Sequence, residues 1–280
     1  MQIFREIGPL RAFLIEKKGA GQSIGFVPTM GALHPGHLAL IAVSRSQNPL
    51  TVCSIFVNPT QFNNVSDFEK YPRTLEKDVD MLEKAGCDVL FCPDEPEMHT
   101  RSSYLNFNFG HLETVMEGKF RPGHFNGVAQ VVSKLFHIVN PDHAYFGQKD
   151  WQQFVIISTL VDELKFNVTL HSVETVREND GLAMSSRNLR LSEKQRRQAI
   201  LIPATLAEAK AKLKGGDSIL SVKKFVEDTF ESNPGITLEY IEVVNSKNLL
   251  PLYSVEEADR PILCMAAFVG EVRLIDNMFL

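Results

Sequence analysis

At 280 residues the chain is long enough for one large domain or two modest ones. Hydrophobic residues at 44% and charged residues at 22% describe an ordinary globular protein and exclude a disordered one. A net charge of −5 gives no electrostatic footprint for nucleic acid or an anionic membrane.

The basic positions Lys194, Arg196, Arg197, Lys210, Lys212 and Lys214 are spaced like the wet face of a helix. No apolar run approaches the roughly 20 residues that a membrane helix needs. Arg5, Glu6, Arg11 and Glu16 interrupt the place where a signal peptide keeps its apolar core, so a cytoplasmic location is expected. Cys53, Cys87, Cys92 and Cys264 show no metal-ligand spacing, and buried free thiols are the default reading.

In chain order, Leu10, Phe13 and Leu14 line one face of a first helix that Gly19 can end. Residues 24–27 read as a buried strand, followed by a loop and a helix with Leu38, Ile41 and Ala42 inward. A strand at 52–57 precedes a helix carrying Leu75, Val79 and Leu82, with Gly86 at its C-cap and a strand at 89–92. The alternation of residues 104–109 predicts a half-exposed strand. Val128, Val131, Val132, Leu135 and Val139 make another helix, then come a strand at 144–146, a helix with Trp151, Phe154, Val155 and Val161, and a strand at 168–176.

Alternation on this scale implies an α/β fold: a Rossmann-like parallel sheet with helices on both faces. Beyond it, Ser192 with Gln195 looks like a capping box opening one long helix to about residue 214. A helix with Ile219, Phe225, Val226 and Phe230, then strands at 238–244, 262–269 and 272–275, complete a smaller α+β region. The expected domains are 1–175 and 176–280.

The strongest chemical signal lies between the first strand and its helix: Met30, Gly31, Ala32, Leu33, His34, Pro35, Gly36 and His37. Pro35 suits a first helical turn. His34 and His37, three apart, can lie on one side of that helix start, where exposed N–H groups and the helix dipole favour an anion. Gly31 and Gly36 let backbone approach a nucleotide. Taken alone, His-x-x-His is more often a capping loop with two surface histidines; the strand–loop–helix setting reverses the odds. Gly19-Ala-Gly21 precedes a strand and is no dinucleotide fingerprint, and no P-loop is present.

Further polar clusters follow strands: Asn58 with Gln61, the run Gly147, Gln148, Lys149 and Asp150, and downstream Met184, Ser185, Ser186 and Arg187. Loops at the carboxyl ends of parallel strands converge on one crevice, so a single site is expected.

These stretches, with Tyr71-Pro-Arg-Thr, Arg121-Pro-Gly-His-Phe and Arg273-Leu-Ile-Asp-Asn, resemble the pantothenate synthetase (pantoate–β-alanine ligase) family nearly end to end and in family order. The His-x-Gly-His element alone would indicate only the wider nucleotidylyltransferase superfamily.

The resemblance implies a C-terminal lid domain, a homodimer, and two steps: pantoate and MgATP give pantoyl adenylate, then β-alanine displaces AMP. It implies an ATP site at residues 30–37 and 147–150, Val176 and residues 184–187. It implies pantoate contacts at Gln61 and Gln153, β-alanine at Gln61, and a proton donor at His37. Charge stabilisation would come from His34, His37, Lys149 and Arg187. Asp78 matches one acidic metal position of part of the family, whereas its neighbours Lys77 and Met81 depart from the family's polar ligands. No nucleic-acid or membrane partner is expected. Two rivals remain: another adenylyltransferase of the superfamily, and a non-catalytic module in which the two histidines hold a structural metal, which lacks further ligands.

Overall fold

The protein's computed structural model describes residues 1–101 and 103–280. Two units emerge, residues 1–147 with 156–174, and residues 148–155 with 175–280.

The first unit contains β1 (Gln2–Phe4), α1 (Ile7–Gly19), β2 (Ile24–Thr29), α2 (Pro35–Gln47) and β3 (Leu50–Ile55). It continues through the short α3 (Val65–Glu69), α4 (Leu75–Lys84), β4 (Val89–Phe91), α5 (Glu95–Met98), α6 (Met116–Phe120), α7 (His124–Val139) and β5 (His143–Gly147). The later part of α8 (Trp151–Leu164) and β6 (Thr169–Val173) close it.

The six strands pair in the order β1-β4-β3-β2-β5-β6, all parallel. Both faces of the central strands are covered, so they are buried nearly throughout and do not alternate between buried and exposed positions. Val27, Cys53, Leu90 and Tyr145 from the strands pack with Leu40, Ile41 and Leu82 from the helices. Order reverses between β2 and β5, the position where open α/β sheets bind ligands.

The second unit adds α9 (Glu193–Ala199), α10 (Leu201–Lys214), α11 (Ile219–Glu231) and an antiparallel sheet of β7 (Ile236–Asn245), β8 (Pro261–Val269) and β9 (Val272–Phe279). Its own core joins Leu206, Val222, Val226 and Phe230 to Ile241, Leu263, Met265 and Leu274. The segment Gln148–Val155 belongs here too, because Trp151 donates its indole N–H to Ser246 O (2.9 Å) and meets Phe279 edge-on.

Four expectations change. Residues 104–109 are not a strand: Phe107 N–H bonds the Asn126 side chain (2.9 Å) and the Gln130 amide donates to Leu105 O (2.6 Å), so side chains of α7 take the place of a partner strand. The expected long helix 192–214 breaks at Ile200, since Pro203 has no N–H to return to the Ala199 carbonyl. Its capping box is present: Ser192 N–H bonds Gln195 Oε1 (2.9 Å) and Gln195 N–H bonds Ser192 Oγ (3.3 Å). On α2 the buried face is Leu40, Ile41 and Ser44, with Ala42 exposed. Finally, β1 is too short to show periodicity and extends the sheet beside β4.

Candidate active site

The loop from β2 to α2 is built around one buried carboxylate. Asp78, 1% exposed on α4, accepts from Ala32 N–H at 2.9 Å, Leu33 N–H at 2.8 Å and Thr74 Oγ1 at 3.2 Å. Those bonds hold Gly31 at φ +78° and Ala32 at φ +49°, a left-handed pair of which only the glycine is at ease. A Cβ on Gly31 would also lie 3.1 Å from Asp78 Oδ2. Upstream, Thr29 Oγ1 donates to Ser54 O (2.7 Å) and accepts from Gly31 N–H (3.2 Å), fixing the loop to β3.

Pro35 then opens α2, with His34 as its extended N-cap residue. The His34 and His37 rings lie 4.0 Å apart. The His34 N–H donates to His37 Nδ1 (3.3 Å), so a neutral His37 carries its proton on Nε2.

One strand over, Asn58 and Gln61 sit on a 3-10 turn (Pro59–Gln61) just past β3. Because Thr29 is in register with Ile55, the two loops leave the sheet side by side. Gln61 Nε2 lies 2.7 Å from Met30 Sδ. The backbone of α7 presses on the turn at Gly127, where a Cβ would fall 2.2 Å from Thr60 O. His124 Nδ1 is 2.8 Å from Gln61 O, and Arg121 reaches its other ring nitrogen at 3.1 Å. Arg121-Pro-Gly-His-Phe therefore places the backbone of Gln61, a role its sequence did not disclose.

In the second unit, Asn277 donates to the carbonyls of Gln148 and Lys149, both at 2.8 Å, and so shapes the turn that carries Lys149 and Asp150. Lys149 Nζ is 3.6 Å from the Asp150 carboxylate. Asp276 takes Arg177 through two bonds of 2.6 and 2.9 Å. Arg177 also reaches Gly181 O, and Met184 N–H returns to Val176 O (3.0 Å), closing the loop that leads to Ser185, Ser186 and Arg187. Asn188 pins its far side to Glu178 (2.8 Å). The Gln153 side chain, half-buried near the start of α8, has no hydrogen-bond partner among the described residues. Within its unit the structure brings together residues 30–37, Gln61 and Asp78; in the other, residues 148–150 and 176–187 are held by local bonds, and Gln153 stands near the start of α8.

As a metal ligand Asp78 finds no support in its surroundings. Both oxygens face N–H or O–H donors, and no group of three or more His, Cys, Asp or Glu able to hold a metal occurs among the described residues. Cysteine nucleophiles fit no better: all four thiols are buried, and burial pushes Cys87 up to about 12.

Residues that sequence reasoning passed over include His99 and Lys134. His99 Nε2 lies 2.9 Å from Asn58 Oδ1, and Lys134 Nζ lies 2.9 Å from His99 Nδ1. Nothing in their spacing along the chain signals that contact.

Comparison with known proteins agrees with this architecture. Residues 2–279 match the family model described as pantoate-beta-alanine ligase. The chain is 45% identical to a pantothenate synthetase of Bacteroides thetaiotaomicron over 278 residues, covering 99% of this chain and 98% of the relative. One from Phocaeicola vulgatus is 46% identical over 279 residues, covering 99% of each. Among solved structures, a pantothenate synthetase from Thermus thermophilus matches at TM-score 0.93 and 40% identity, covering 99% of each chain. A pantoate-beta-alanine ligase from Francisella tularensis, complexed with beta-gamma ATP and beta-alanine, matches at 0.78 and 34%, covering 99% of this chain and 97% of that one.

Proposed function

The chain belongs to the pantoate-beta-alanine ligase family, and from that premise we infer how its residues join pantoate to β-alanine with ATP. A pantoate carboxylate oxygen attacks the α-phosphorus and the bond to the leaving pyrophosphate breaks. The amine nitrogen of β-alanine then attacks the acyl carbon, the bond to AMP breaks, and the nitrogen loses a proton.

The first step needs no general base, since a carboxylic acid is already ionised at neutral pH. It needs donors aimed at the phosphates as charge moves onto pyrophosphate. His34, His37, Lys149 and Arg187 supply them in this reading. The observation that carries it is the fixed ring of His37 at the start of α2, whose Nδ1 accepts the His34 N–H, so that a neutral ring carries its proton on Nε2. Residues 30–37, 147–150, 176 and 184–187 hold the nucleotide. Neutral amides at Gln61 and Gln153 hold pantoate, where an arginine would bind the carboxylate more tightly but lower its nucleophilicity.

Mg²⁺ enters as part of MgATP, with phosphate oxygens and water completing its shell. A homodimer is part of the same proposal and is checked by sedimentation. No helix among the described residues is long and apolar enough to cross a membrane.

Exchange of labelled pyrophosphate into ATP, with pantoate present and β-alanine absent, tests the reading. Exchange that depends on both pantoate and Mg²⁺ is expected. Release of ADP and phosphate in its place would overturn the adenylate route and with it the assignment of His37.

A further inference from the structure

Behind Gln61 runs a chain of hydrogen bonds whose direction is set by groups that have no choice. Lys134 Nζ can only donate, and it lies 2.7 Å from Met98 O and 2.9 Å from His99 Nδ1. His99 Nδ1 is therefore an acceptor and the ring's proton sits on Nε2, facing Asn58 at 2.9 Å. At the other end of that contact Asn58 must present oxygen, because the same atom also receives the Thr60 backbone N–H at 3.4 Å and the Thr60 hydroxyl at 3.0 Å. Its Nδ2 is then turned to Gly127 O (3.2 Å) and to Gln61 Oε1 (3.3 Å). With Oε1 engaged, Gln61 is left to offer its N–H groups on the Met30 side, beside the His34–His37 loop.

Asn58 and Gln61 are 1% and 8% exposed, so water does not compete for these bonds and each fixes the next. We propose that Lys134 and His99 are positioning residues for the acid substrate: through Asn58 they hold the Gln61 amide with its N–H donors toward the carboxylate. The proposal rests on the reading that Gln61 binds pantoate.

Burial and the Lys134 charge keep the His99 ring below its ordinary 6.5, against a smaller opposing pull from Glu95 on the helix that ends just before it. Those are the charged groups bearing on it; Phe56, from the β3 side, is apolar. The lowered value means that His99 takes up its second proton at a lower pH than an ordinary imidazole. Protonation then makes Nδ1 a donor facing an ammonium that also donates, and the chain loses its direction. Pantoate binding should weaken over that acid limb, whereas the pantoate carboxylate itself stays ionised there.

Steady-state KM values for pantoate and for ATP, from about pH 5 to pH 8, separate the outcomes in wild type, His99→Leu, His99→Gln and Gln61→Leu. His99→Leu should raise the pantoate KM about tenfold with the ATP KM unchanged, the scale of one lost hydrogen bond to a charged group. His99→Gln restores a donor to Asn58 without a titrating ring. It should recover most of the affinity and lack the acid limb that wild type shows. His34 and His37 are common to both chains, so a difference between the two profiles belongs to His99. A pantoate KM unchanged in His99→Leu, an ATP KM rising in parallel, or a His99→Gln profile retaining the wild-type limb would each overturn the proposal. If Gln61→Leu also leaves the pantoate KM alone, the fault lies in the assignment of Gln61. If Gln61→Leu raises that KM and His99→Leu does not, only the positioning chain fails.

Discussion

His37 illustrates how one backbone bond can decide the chemistry of a side chain. Its Nδ1 accepts the His34 N–H, so a neutral ring carries its proton on Nε2, the donor that the proposed function assigns to phosphate. Asparagine places its oxygen near the position of Nδ1 and has nothing at Nε2. His37→Asn thus keeps the loop bond and deletes the outer donor. Adenylation should fall at least about a hundredfold, the scale for one transition-state donor. Preformed pantoyl adenylate should still react with β-alanine with far less loss. Rapid-quench measurement of the two half-reactions decides between them, and equal damage to both would make His37 a structural residue. Gln153 tests the acid subsite separately. Glutamate is nearly isosteric, but it cannot donate when ionised and it repels a carboxylate. Losing a hydrogen bond to a charged group costs about 1.5 to 3 kcal/mol, so Gln153→Glu should raise the pantoate KM by more than about tenfold with little change for ATP. Because no described residue holds the Gln153 amide, a mere helix-solvating role predicts no change in either value.

At the scale of elements, the parallel sheet was legible because buried strands such as Ile24–Thr29 and Leu50–Ile55 are short, mostly apolar runs between helical patterns. The residues of the β2–α2 loop were legible for a related reason: Pro35, the glycines and the histidine pair each carry a local backbone consequence. What holds that loop was not. Asp78 lies more than forty positions away, on a helix whose apolar residues Leu75, Val79 and Leu82 gave the only periodic signal. The failure at 104–109 has the same origin. Alternation there is real, but the backbone partners are Asn126 and Gln130 side chains from a distant helix. Asp78→Asn probes the loop directly. In either amide orientation an NH₂ group must face the Ala32 or the Leu33 N–H, leaving a buried donor unsatisfied at a cost of about 1–3 kcal/mol. Both the melting temperature and the adenylation rate should drop. The Mg²⁺ concentration giving half-maximal rate should stay where it is in wild type, whereas loss of a metal ligand would move it upward.

For the molecule as a whole, the notable feature is that each unit has a separate apolar core while the chain visits the second unit early, at Gln148–Val155. Trp151, the single tryptophan, is the anchor of that visit. It is 8% exposed, stacks on Phe154 at 5.1 Å, meets Phe279 edge-on at 4.8 Å and donates to Ser246 O. The neighbouring turn is tied to β9 by both bonds from Asn277. Truncating a buried tryptophan costs about 3–5 kcal/mol, and here the loss falls on β9 and the Ser246 turn. Trp151→Ala should therefore lower the protection of β8 and β9 amides against hydrogen exchange. Amides of β2 and β3, which belong to the other unit, should keep theirs. Trp151→Phe retains most of the ring and loses only the N–H bond, so its effect should be closer to the roughly 0.5–1.5 kcal/mol of one neutral hydrogen bond. Exchange followed by mass spectrometry on peptides from each unit reads both variants. Equal loss of protection in both units, or full protection of β9 in Trp151→Ala, would show that residues 148–155 are not what secures the C-terminal sheet.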